Sequence, residues 1–242
     1  LRAVSGAGAA PAAADTRSGS GLAAGPRRQA DELPVIWVYL PSWTVLECVR
    51  RIPHCALVYE VIDALASNPA GVARGFRQAE AEILRLADLV ITTSQSLQVH
   101  KGGRARQTHW VPAGVGQPFL AAAAADPQVA AIAGPRLGFF GTLDHRLDLE
   151  LVGRLAGRRP GWSFVLIGPA RVPLAALPTG ANVHCLGPRP HGQLPACLAA
   201  LDVLFLPYVL DDFTRHVYPA KIYECLASGA PVVATSLPSL LP

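Results

Sequence analysis

The sequence contains no methionine and begins at Leu1, which indicates a fragment or a processed chain. Long apolar runs are absent too. The most apolar stretch, 196–210, contains Asp202 and Pro207 and is shorter than the ~20 residues of a transmembrane helix. The first residues do not follow the charged, apolar, small-residue order of a secretory signal peptide. We therefore expect a cytoplasmic protein whose only membrane contact is peripheral, at the inner face.

Patterns that bind metals are also missing. The five cysteines form no CxxC pair and no zinc spacing, and free thiols in apolar segments favour a reducing compartment. No HExxH, Gly-x-Ser-x-Gly or Gly-x-x-x-x-Gly-Lys motif occurs, which argues against metalloproteases, serine hydrolases and P-loop enzymes. The sequence predicts no metal and no cofactor. Six histidines without metal-ligand spacing are interpreted as structural or surface residues: His54, His100, His109, His145, His184 and His191.

Charged residues are scarce, at 16% of the chain, whereas apolar residues make up 51%, so most of the chain is expected to fold. The formal net charge of +4 comes without a long run of Lys or Arg. This modest excess suits an anionic small molecule or an anionic membrane surface and does not indicate nucleic-acid binding.

Residues 1–33 are rich in Ala, Gly and Ser, and their lack of a period predicts a low-complexity leader or loop. Beyond them, short apolar runs alternate with helical patterns, and few of these runs alternate polar with apolar residues. That is typical of parallel strands covered on both faces, so we predict an α/β fold with doubly wound, Rossmann-like sheets. The predicted strands are 35–39, 56–61, 89–93, 108–111, 137–140, 163–167, 183–186, 203–207 and 232–235, and the predicted helices are 44–51, 74–87, 149–158, 194–200 and 220–228.

An Ala-rich stretch over residues 119–134 separates the two halves of the chain, and a new strand follows it. We predict an interdomain linker there, between a partial first domain over 34–118 and an incomplete second domain over 135–242. Ligands of doubly wound sheets bind at the carboxyl ends of the strands, and clefts between domains are favoured ligand sites.

The segment 219–233 carries residues suited to binding a nucleotide. Pro219 suits the first turn of a helix and Gly229 its end. Lys221 and Glu224 share a helix face near the N-terminus, where free N–H groups and the helix dipole favour a diphosphate. Lys221 is suited to the phosphates and Glu224 to a ribose diol. An ordinary exposed Lys–Glu pair is the alternative interpretation.

This segment resembles the donor site of retaining glycosyltransferases with the GT-B fold (group 1, family four type), where a Glu and a short helix precede Gly-x-Pro-Val-Val. Glu224, Gly229 and residues 231–233 match that ending. Pro219 and Lys221 make the chain similar to a bacterial branch, the teichuronic-acid-type polysaccharide transferases, which carry Pro-x-Lys-x-x-Glu. Other blocks that resemble the family precede this segment in the family's order, at 87–90, 111–115, 138–141, 182–189 and 202–208.

The resemblance implies two Rossmann-like domains of the GT-B type, truncated at both ends, that bind a nucleotide-diphosphate sugar. Glu224 would then bind the ribose, and Lys221, Arg146 and the backbone of Gly141 would surround the diphosphate. Arg189 falls in a loop that resembles the wall of the base pocket. The alternative interpretations are a solvated helix start for Arg146, a turn glycine for Gly141 and a surface-loop arginine for Arg189. The predicted donor-site residues are Gly141, Arg146, Arg189, Pro219, Lys221 and Glu224.

Two positions are candidates for the reacting sugar. The first family Glu would stand eight residues before Glu224, where this chain has His216. Branch members also lack that acid, so its absence does not exclude activity. Asp63 follows a predicted strand at a place where many relatives have a His facing the sugar, and a helix N-cap or turn Asp is the alternative. Further candidates around His216 are Thr214, Arg215, Asp211 and Asp212.

The expected reaction is transfer of a sugar, with retention, from a nucleotide-diphosphate donor to a glycan, lipid-linked or small acceptor. In this family the donor phosphate is thought to take the acceptor proton, so the protein mainly positions reactants and stabilises the leaving diphosphate. A non-catalytic nucleotide-sugar-binding homologue is the alternative that His216 favours, and an epimerase-type enzyme is a third. Since the family's first strand and last helices have no counterpart, these 242 residues alone are expected to be poorly active.

Overall fold

The computed structural model describes residues 2–4, 33–68 and 74–240. The chain divides into two compact units, Leu1–Val111 and Pro112–Pro242. The division therefore lies before the predicted linker at 119–134. None of the helices in the described ranges is long and apolar enough to cross a lipid bilayer.

The first unit is an α/β layer around one sheet. In the described part of the chain this sheet has the order β1-β2-β3-β4-β5, and β2 to β5 run parallel. Its strands are β1 (Arg2–Val4), β2 (Val35–Val38), β3 (Ala56–Val61), β4 (Leu89–Thr92) and β5 (Thr108–Trp110), and its helices are α1 (Trp43–Arg51), α2 (Phe76–Leu86) and α3 (Gln95–Gly102).

Strand β1 differs from the prediction, which placed residues 1–33 in a leader or loop without regular structure. Arg2–Val4 pairs antiparallel with Val35–Val38 at the edge of the sheet. Three residues are too few to show a period, so nothing in the sequence indicates this pairing. Residues 5–32, the greater part of the predicted leader, lie outside the described residues.

Helix α3 is also absent from the prediction, because its apolar residues do not mark one face. Leu97 is buried, whereas Val99 is 86% exposed. The helix begins where the Ser94 hydroxyl accepts a hydrogen bond from the backbone N–H of Leu97, a standard N-cap. Ser94 therefore indicates where the helix begins, but the amphipathic pattern is too weak to predict the helix itself.

The interior of the first unit holds a buried ion pair. Lys101 Nζ on α3 lies 2.6 Å from Glu80 Oε2 on α2, and both side chains are less than a tenth exposed. The Tyr59 hydroxyl on β3 donates to the other Glu80 oxygen at 2.9 Å. The pair thus joins both helices to the sheet, and every member has a hydrogen-bond partner, as buried polar groups require.

The second unit is a parallel sheet whose described strands have the order β10-β9-β6-β7-β8. All five residues of β7 are buried, as its uninterrupted apolar run predicts. The strands are β6 (Arg136–Phe140), β7 (Ser163–Ile167), β8 (Val183–Gly187), β9 (Val203–Leu206) and β10 (Val232–Ala234), and the helices are α4 (Pro127–Ala130), α5 (Leu149–Arg158), α6 (Leu194–Ala199) and α7 (Lys221–Ala227).

The segment 119–134, predicted as a linker, packs on the second unit instead. Phe119 and Val129 are 3% and 0% exposed and belong to its hydrophobic core. Asp126 Oδ1 accepts hydrogen bonds from the N–H groups of Gln128 and Val129, so it caps the single turn α4. The linker prediction fails because the alanines mask these two apolar residues, and because Asp126 and Pro127 begin a helix inside the segment.

Two glycines bring the carboxyl ends of β6 and β7 into backbone contact. Gly141 follows β6, and its N–H donates to the Ile167 carbonyl at 2.8 Å. Gly168 follows β7 with a φ of +147°, and a Cβ placed there would lie 1.9 Å from the Gly141 carbonyl oxygen. A side chain at Gly168 is therefore excluded, and this close approach fixes where the β6 end lies.

Candidate functional site

Helix α7 lies beside the carboxyl ends of β6 and β9. Ala220 is its N-cap, and the Pro219 carbonyl accepts the N–H of Ile222 at 2.9 Å. The sequence suggested Pro219 for the first turn of the helix, whereas in the structure Pro219 precedes the helix. Gly229 follows the helix with a φ of +75°, the left-handed conformation that ends many helices, as its position in the sequence predicts.

Lys221, the first residue of α7, points its ammonium group at the ends of the strands. Its Nζ donates to the hydroxyl of Tyr208, just after β9, at 3.0 Å. The same nitrogen lies 5.4 Å from the ring centroid of Phe139 and 5.6 Å from that of Tyr208, within cation–π range. A Cβ placed on Gly141 would lie 3.3 Å from Nζ. The ammonium group is therefore held against the open backbone of Gly141.

Glu224 lies one turn further along α7 and has a different partner. Its Oε1 is 3.0 Å from Nε2 of His191, in the short 3₁₀ helix His191–Gln193 that follows β8. The Glu224 side chain is 18% exposed, whereas His191 is 63% exposed. The carboxylate is thus mostly sheltered and oriented by the imidazole.

These contacts bear on the two interpretations of the Lys–Glu spacing, and the binding roles stay predictions. In the described residues, Lys221 bonds to Tyr208 and Glu224 to His191, and no ion pair joins the two to each other. Each side chain is anchored to a different strand end or loop. An ordinary exposed helix pair does not describe them, because both are built into the carboxyl edge of the sheet.

Arg146 lies in the loop after β6, next to Tyr208. Its carbonyl accepts the N–H of Val209 at 2.9 Å, and the neighbouring Leu147 pairs with Tyr208. Its guanidinium contacts both oxygens of Asp144, with Nη2 at 2.6 Å from Oδ2. Partial burial raises the pKa of Asp144, but the hydrogen bonds and charge of Arg146 outweigh it and leave that pKa below its ordinary value. The diphosphate role of Arg146 stays a prediction.

Arg189 lies in the loop after β8, where its guanidinium serves the fold. It donates to the side-chain oxygen of Gln128 and, at 3.2 Å, to the carbonyl of Leu186. These contacts join the loop to α4, since Gln128 is one of its residues. The predicted place of Arg189 in a base pocket stays a prediction, and the structure adds a structural task for the same side chain.

The candidates around His216 lie in the loop between β9 and α7. His216 ends the 3₁₀ helix Thr214–His216 and is half-buried. Asp211 Oδ1 accepts hydrogen bonds from the N–H groups of Phe213 and Thr214 and from the Thr214 hydroxyl. Partial burial raises the pKa of Asp211, but these hydrogen bonds prevail and lower it. Asp211 therefore organises this loop, while Asp212 is exposed beside Arg215.

Asp63 belongs to the first unit, in the turn after β3. Its carbonyl accepts the N–H of Leu65 at 2.8 Å, at the start of the 3₁₀ helix Leu65–Ser67. The N-cap of that short helix is Ala64, so Asp63 is a turn residue one position earlier. Its catalytic role stays a prediction.

Three contacting residues were missed by sequence reasoning: Tyr208, His191 and Asp144. Tyr208 lies 13 residues from Lys221 in sequence, and His191 lies 33 residues from Glu224, so no local spacing links either residue to α7. Asp144 could have been found from the sequence. An Asp two residues before an Arg in a turn can accept hydrogen bonds from both the backbone N–H and the guanidinium of that Arg. Cys225, in contrast, is inert, because burial raises the pKa of its thiol to about 12.

Comparison with known proteins shows what this chain is similar to. Residues 134–241 match the family described as glycosyl transferases group 1. Over 224 residues the chain is 31% identical to TuaH of Bacillus subtilis (strain 168), whose name assigns it to teichuronic acid biosynthesis as a glycosyltransferase. The alignment covers 84% of this chain and 56% of TuaH, so the chain spans about half the length of this relative.

Solved structures agree on the fold. Sucrose-phosphate synthase from Thermosynechococcus elongatus superposes with a TM-score of 0.65 at 18% identity, over 84% of this chain and 56% of its own. HepE from Anabaena, in complex with UDP and glucose, gives 0.62 at 22% identity, over 83% and 59%. These likenesses confirm the predicted α/β fold with Rossmann-like sheets, as in GT-B glycosyltransferases.

Proposed function

We propose that this chain is a member of the glycosyl transferases group 1 family, whose model residues 134–241 match, and that its second unit binds a nucleotide-diphosphate sugar at α7 and the ends of β6 and β9. One observation carries the proposal. Lys221 and Glu224 are separately anchored at the carboxyl edge of a parallel sheet, where doubly wound folds bind their ligands.

The diphosphate is assigned to the side of Lys221. A glycine at position 141 leaves the backbone open to a phosphate, and the ammonium group is held beside it. An ammonium group has three N–H donors, of which Tyr208 takes one. The positive charge of the ammonium group stabilises the negative charge that develops on a leaving diphosphate. This lowers the barrier to transfer without a metal ion.

The ribose is assigned to Glu224. A carboxylate only accepts hydrogen bonds, and its two oxygens offer about four lone-pair sites. His191 uses one of them, so others are available for the hydroxyls of a ribose diol. The spacing of three residues places this carboxylate one helical turn from Lys221, and the ribose of a ribonucleoside diphosphate is joined directly to its diphosphate.

We propose transfer of a hexose with retention, to the hydroxyl of a glycan, lipid-linked or small acceptor. The retaining outcome rests on the resemblance to the family, and the polysaccharide acceptor on the name of TuaH. Asp63 and His216 are the proposed residues at the reacting sugar. The proposal needs no cofactor and no nucleic acid, and it places the protein in the cytoplasm, at the membrane where the acceptor is lipid-linked.

A second candidate function is nucleotide-sugar binding without transfer. The observation that favours it is His216, which replaces the acid of the family pattern in a short 3₁₀ helix. Binding and turnover separate the two candidates, because both require the Lys221 and Glu224 contacts but only one consumes the donor.

The experiment uses the 242-residue chain and a panel of UDP, GDP, ADP and CDP with their glucose derivatives. A bound nucleotide raises the melting temperature by mass action, so thermal shift identifies the base. We expect one base to stabilise the protein and Glu224→Ala to abolish the shift. Release of nucleoside diphosphate from the matching labelled sugar by the full-length protein then separates transfer from binding alone. The proposal fails if no member of the panel binds.

A further inference from the structure

His191 meets Glu224 across a long separation in sequence. The imidazole belongs to the connection between β8 and α6, and Glu224 to α7, yet Nε2 and Oε1 are 3.0 Å apart. Because a carboxylate cannot donate, the proton of this hydrogen bond is on Nε2 of His191. The contact therefore fixes one tautomer of the imidazole and one orientation of the carboxylate.

The imidazole is itself held in place. Its ring packs edge-on against Phe119, with centroids 5.1 Å apart and an angle of 60°. Phe119 is 3% exposed, so it is a fixed part of the core of the second unit. A Cβ placed on Gly116 would lie 3.8 Å from Cε1 of His191, an ordinary contact distance. The ring of Phe119 thus supports the imidazole of His191 on one side, and His191 orients Glu224.

The exposure of the pair determines what the contact can do. His191 is 63% exposed, and ion pairs and hydrogen bonds at such sites add little to the stability of a fold. A long carboxylate side chain on a helix otherwise loses its rotamer freedom when it binds a ligand, which weakens binding. A partner that fixes the carboxylate beforehand removes that cost.

We infer that His191 is a positioning residue of the donor site, which presents the Glu224 carboxylate to the ribose diol and so makes binding selective for ribonucleotides. This inference rests on the proposed function. It assigns His191 no contact with the diphosphate and no part in the chemical step. Replacing His191 should therefore change the affinity for a nucleotide, and only when that nucleotide carries the ribose hydroxyls.

The experiment compares, by isothermal titration calorimetry, the nucleoside diphosphate that the thermal-shift panel identifies with its 2′,3′-dideoxy form. For a uracil base these are UDP and 2′,3′-dideoxy-UDP, and the same comparison holds for another base. The proteins are the 242-residue chain and its variants His191→Ala, His191→Gln, Glu224→Ala and the double alanine variant. Glutamine is included because its amide N–H reaches to about where Nε2 of a histidine lies. Gln193→Ala, an exposed change in the same 3₁₀ helix, is the matched control.

We expect His191→Ala to weaken UDP binding about fivefold, the factor expected when one rotamer-rich side chain must be fixed on binding. Its affinity for dideoxy-UDP should equal that of the unaltered chain. His191→Gln should restore most of the UDP affinity, and Gln193→Ala should change neither. In the Glu224→Ala background, removing His191 should have no further effect, because the two residues act through one contact.

Two results overturn the inference while leaving the proposed function intact. One is an equal loss of affinity for UDP and dideoxy-UDP in His191→Ala, which indicates a general structural effect. The other is an unchanged UDP affinity in that variant. If the unaltered chain binds none of the four nucleoside diphosphates, the proposed function fails and the inference fails with it.

Discussion

Lys221 Nζ lies 3.0 Å from the hydroxyl oxygen of Tyr208, which anchors the first residue of α7 to the end of β9. Tyr208 is 4% exposed, so its hydroxyl is a fixed point in the unit. An unanchored lysine is a flexible point charge on a four-carbon stem. Here the charge is held at the backbone of Gly141 before any ligand arrives, and its contribution to binding is measurable.

Lys221→Met should weaken UDP binding about tenfold, because it removes charge-assisted hydrogen bonds to phosphate. Uridine, which has no phosphate, should bind both proteins equally. The control is Arg158→Met, which removes the same unit charge from the exposed end of α5. Titration calorimetry at two salt concentrations measures these affinities. An equal loss with UDP and uridine contradicts the assignment of Lys221 to the diphosphate.

Gly168→Ala should destabilise the second unit by about 3 kcal/mol, the sum expected for overpacking and for a side chain at a disfavoured φ. The reason is that a Cβ there would lie 1.9 Å from a backbone oxygen, which cannot rotate away. The control is Gly153→Ala, inside α5, where a Cβ would meet Pro178 at an ordinary 3.7 Å. That change should stabilise by about 0.5–1 kcal/mol. Urea denaturation checks both, and a tolerated alanine at position 168 contradicts this account.

Asp144 should contribute stability that depends on pH. Its folded pKa is lowered below the ordinary carboxyl value of 3.8, so its contribution is present above that pH and is lost as the pH falls through the folded pKa. Asp144→Asn should cost about 1–2 kcal/mol at pH 7, since Arg146 then loses a charged partner.

The test for Asp144 is the urea midpoint measured from pH 7 down to pH 2.5. The difference between the unaltered chain and Asp144→Asn should shrink as the pH drops below the ordinary carboxyl range. Asp212→Asn is the control, because that side chain is 94% exposed beside Arg215. A difference that stays constant with pH contradicts the role given to the carboxylate.

Lys101→Met should destabilise the first unit by about 3–5 kcal/mol, because it leaves the carboxylate of Glu80 buried without its partner. Lys101→Met combined with Glu80→Gln should recover much of that loss, since no unpaired charge remains and Tyr59 still has an acceptor. Arg106→Ala is the control. Arg106 pairs with Asp88 at 3.3 Å but is 78% exposed, so its removal should cost less than about 1 kcal/mol. Similar losses for Lys101→Met and Arg106→Ala contradict this view.

Much of the fold followed from the sequence because its signals are local. The nine predicted strands all form, with ends that shift by at most one residue, since buried parallel strands are continuous apolar runs. The five predicted helices form as well. Gly229 marks the end of α7, and the spacing of Lys221 and Glu224 places both on one face of that helix.

Local signals also misled at certain residues. Asp126 lies in the segment predicted as a linker but caps α4, and Pro219, which suits the first turn of a helix, precedes α7. In both cases the residue type suited a helix start, and only packing determined where the helix begins. The place of Arg189 in a binding loop stays a prediction, and the structure adds hydrogen bonds by which its side chain holds that loop to α4.

By itself the sequence determined the α/β class, the order of strands and helices, and the family resemblance of the segment 219–233, because periodicity, caps and motifs are properties of neighbouring residues. Only the tertiary structure decided which side chains orient Lys221 and Glu224. Tyr208 and His191 reach α7 because the parallel sheet brings the ends of distant strands to one edge. Such contacts depend on the packing of the whole unit, and no local spacing encodes them.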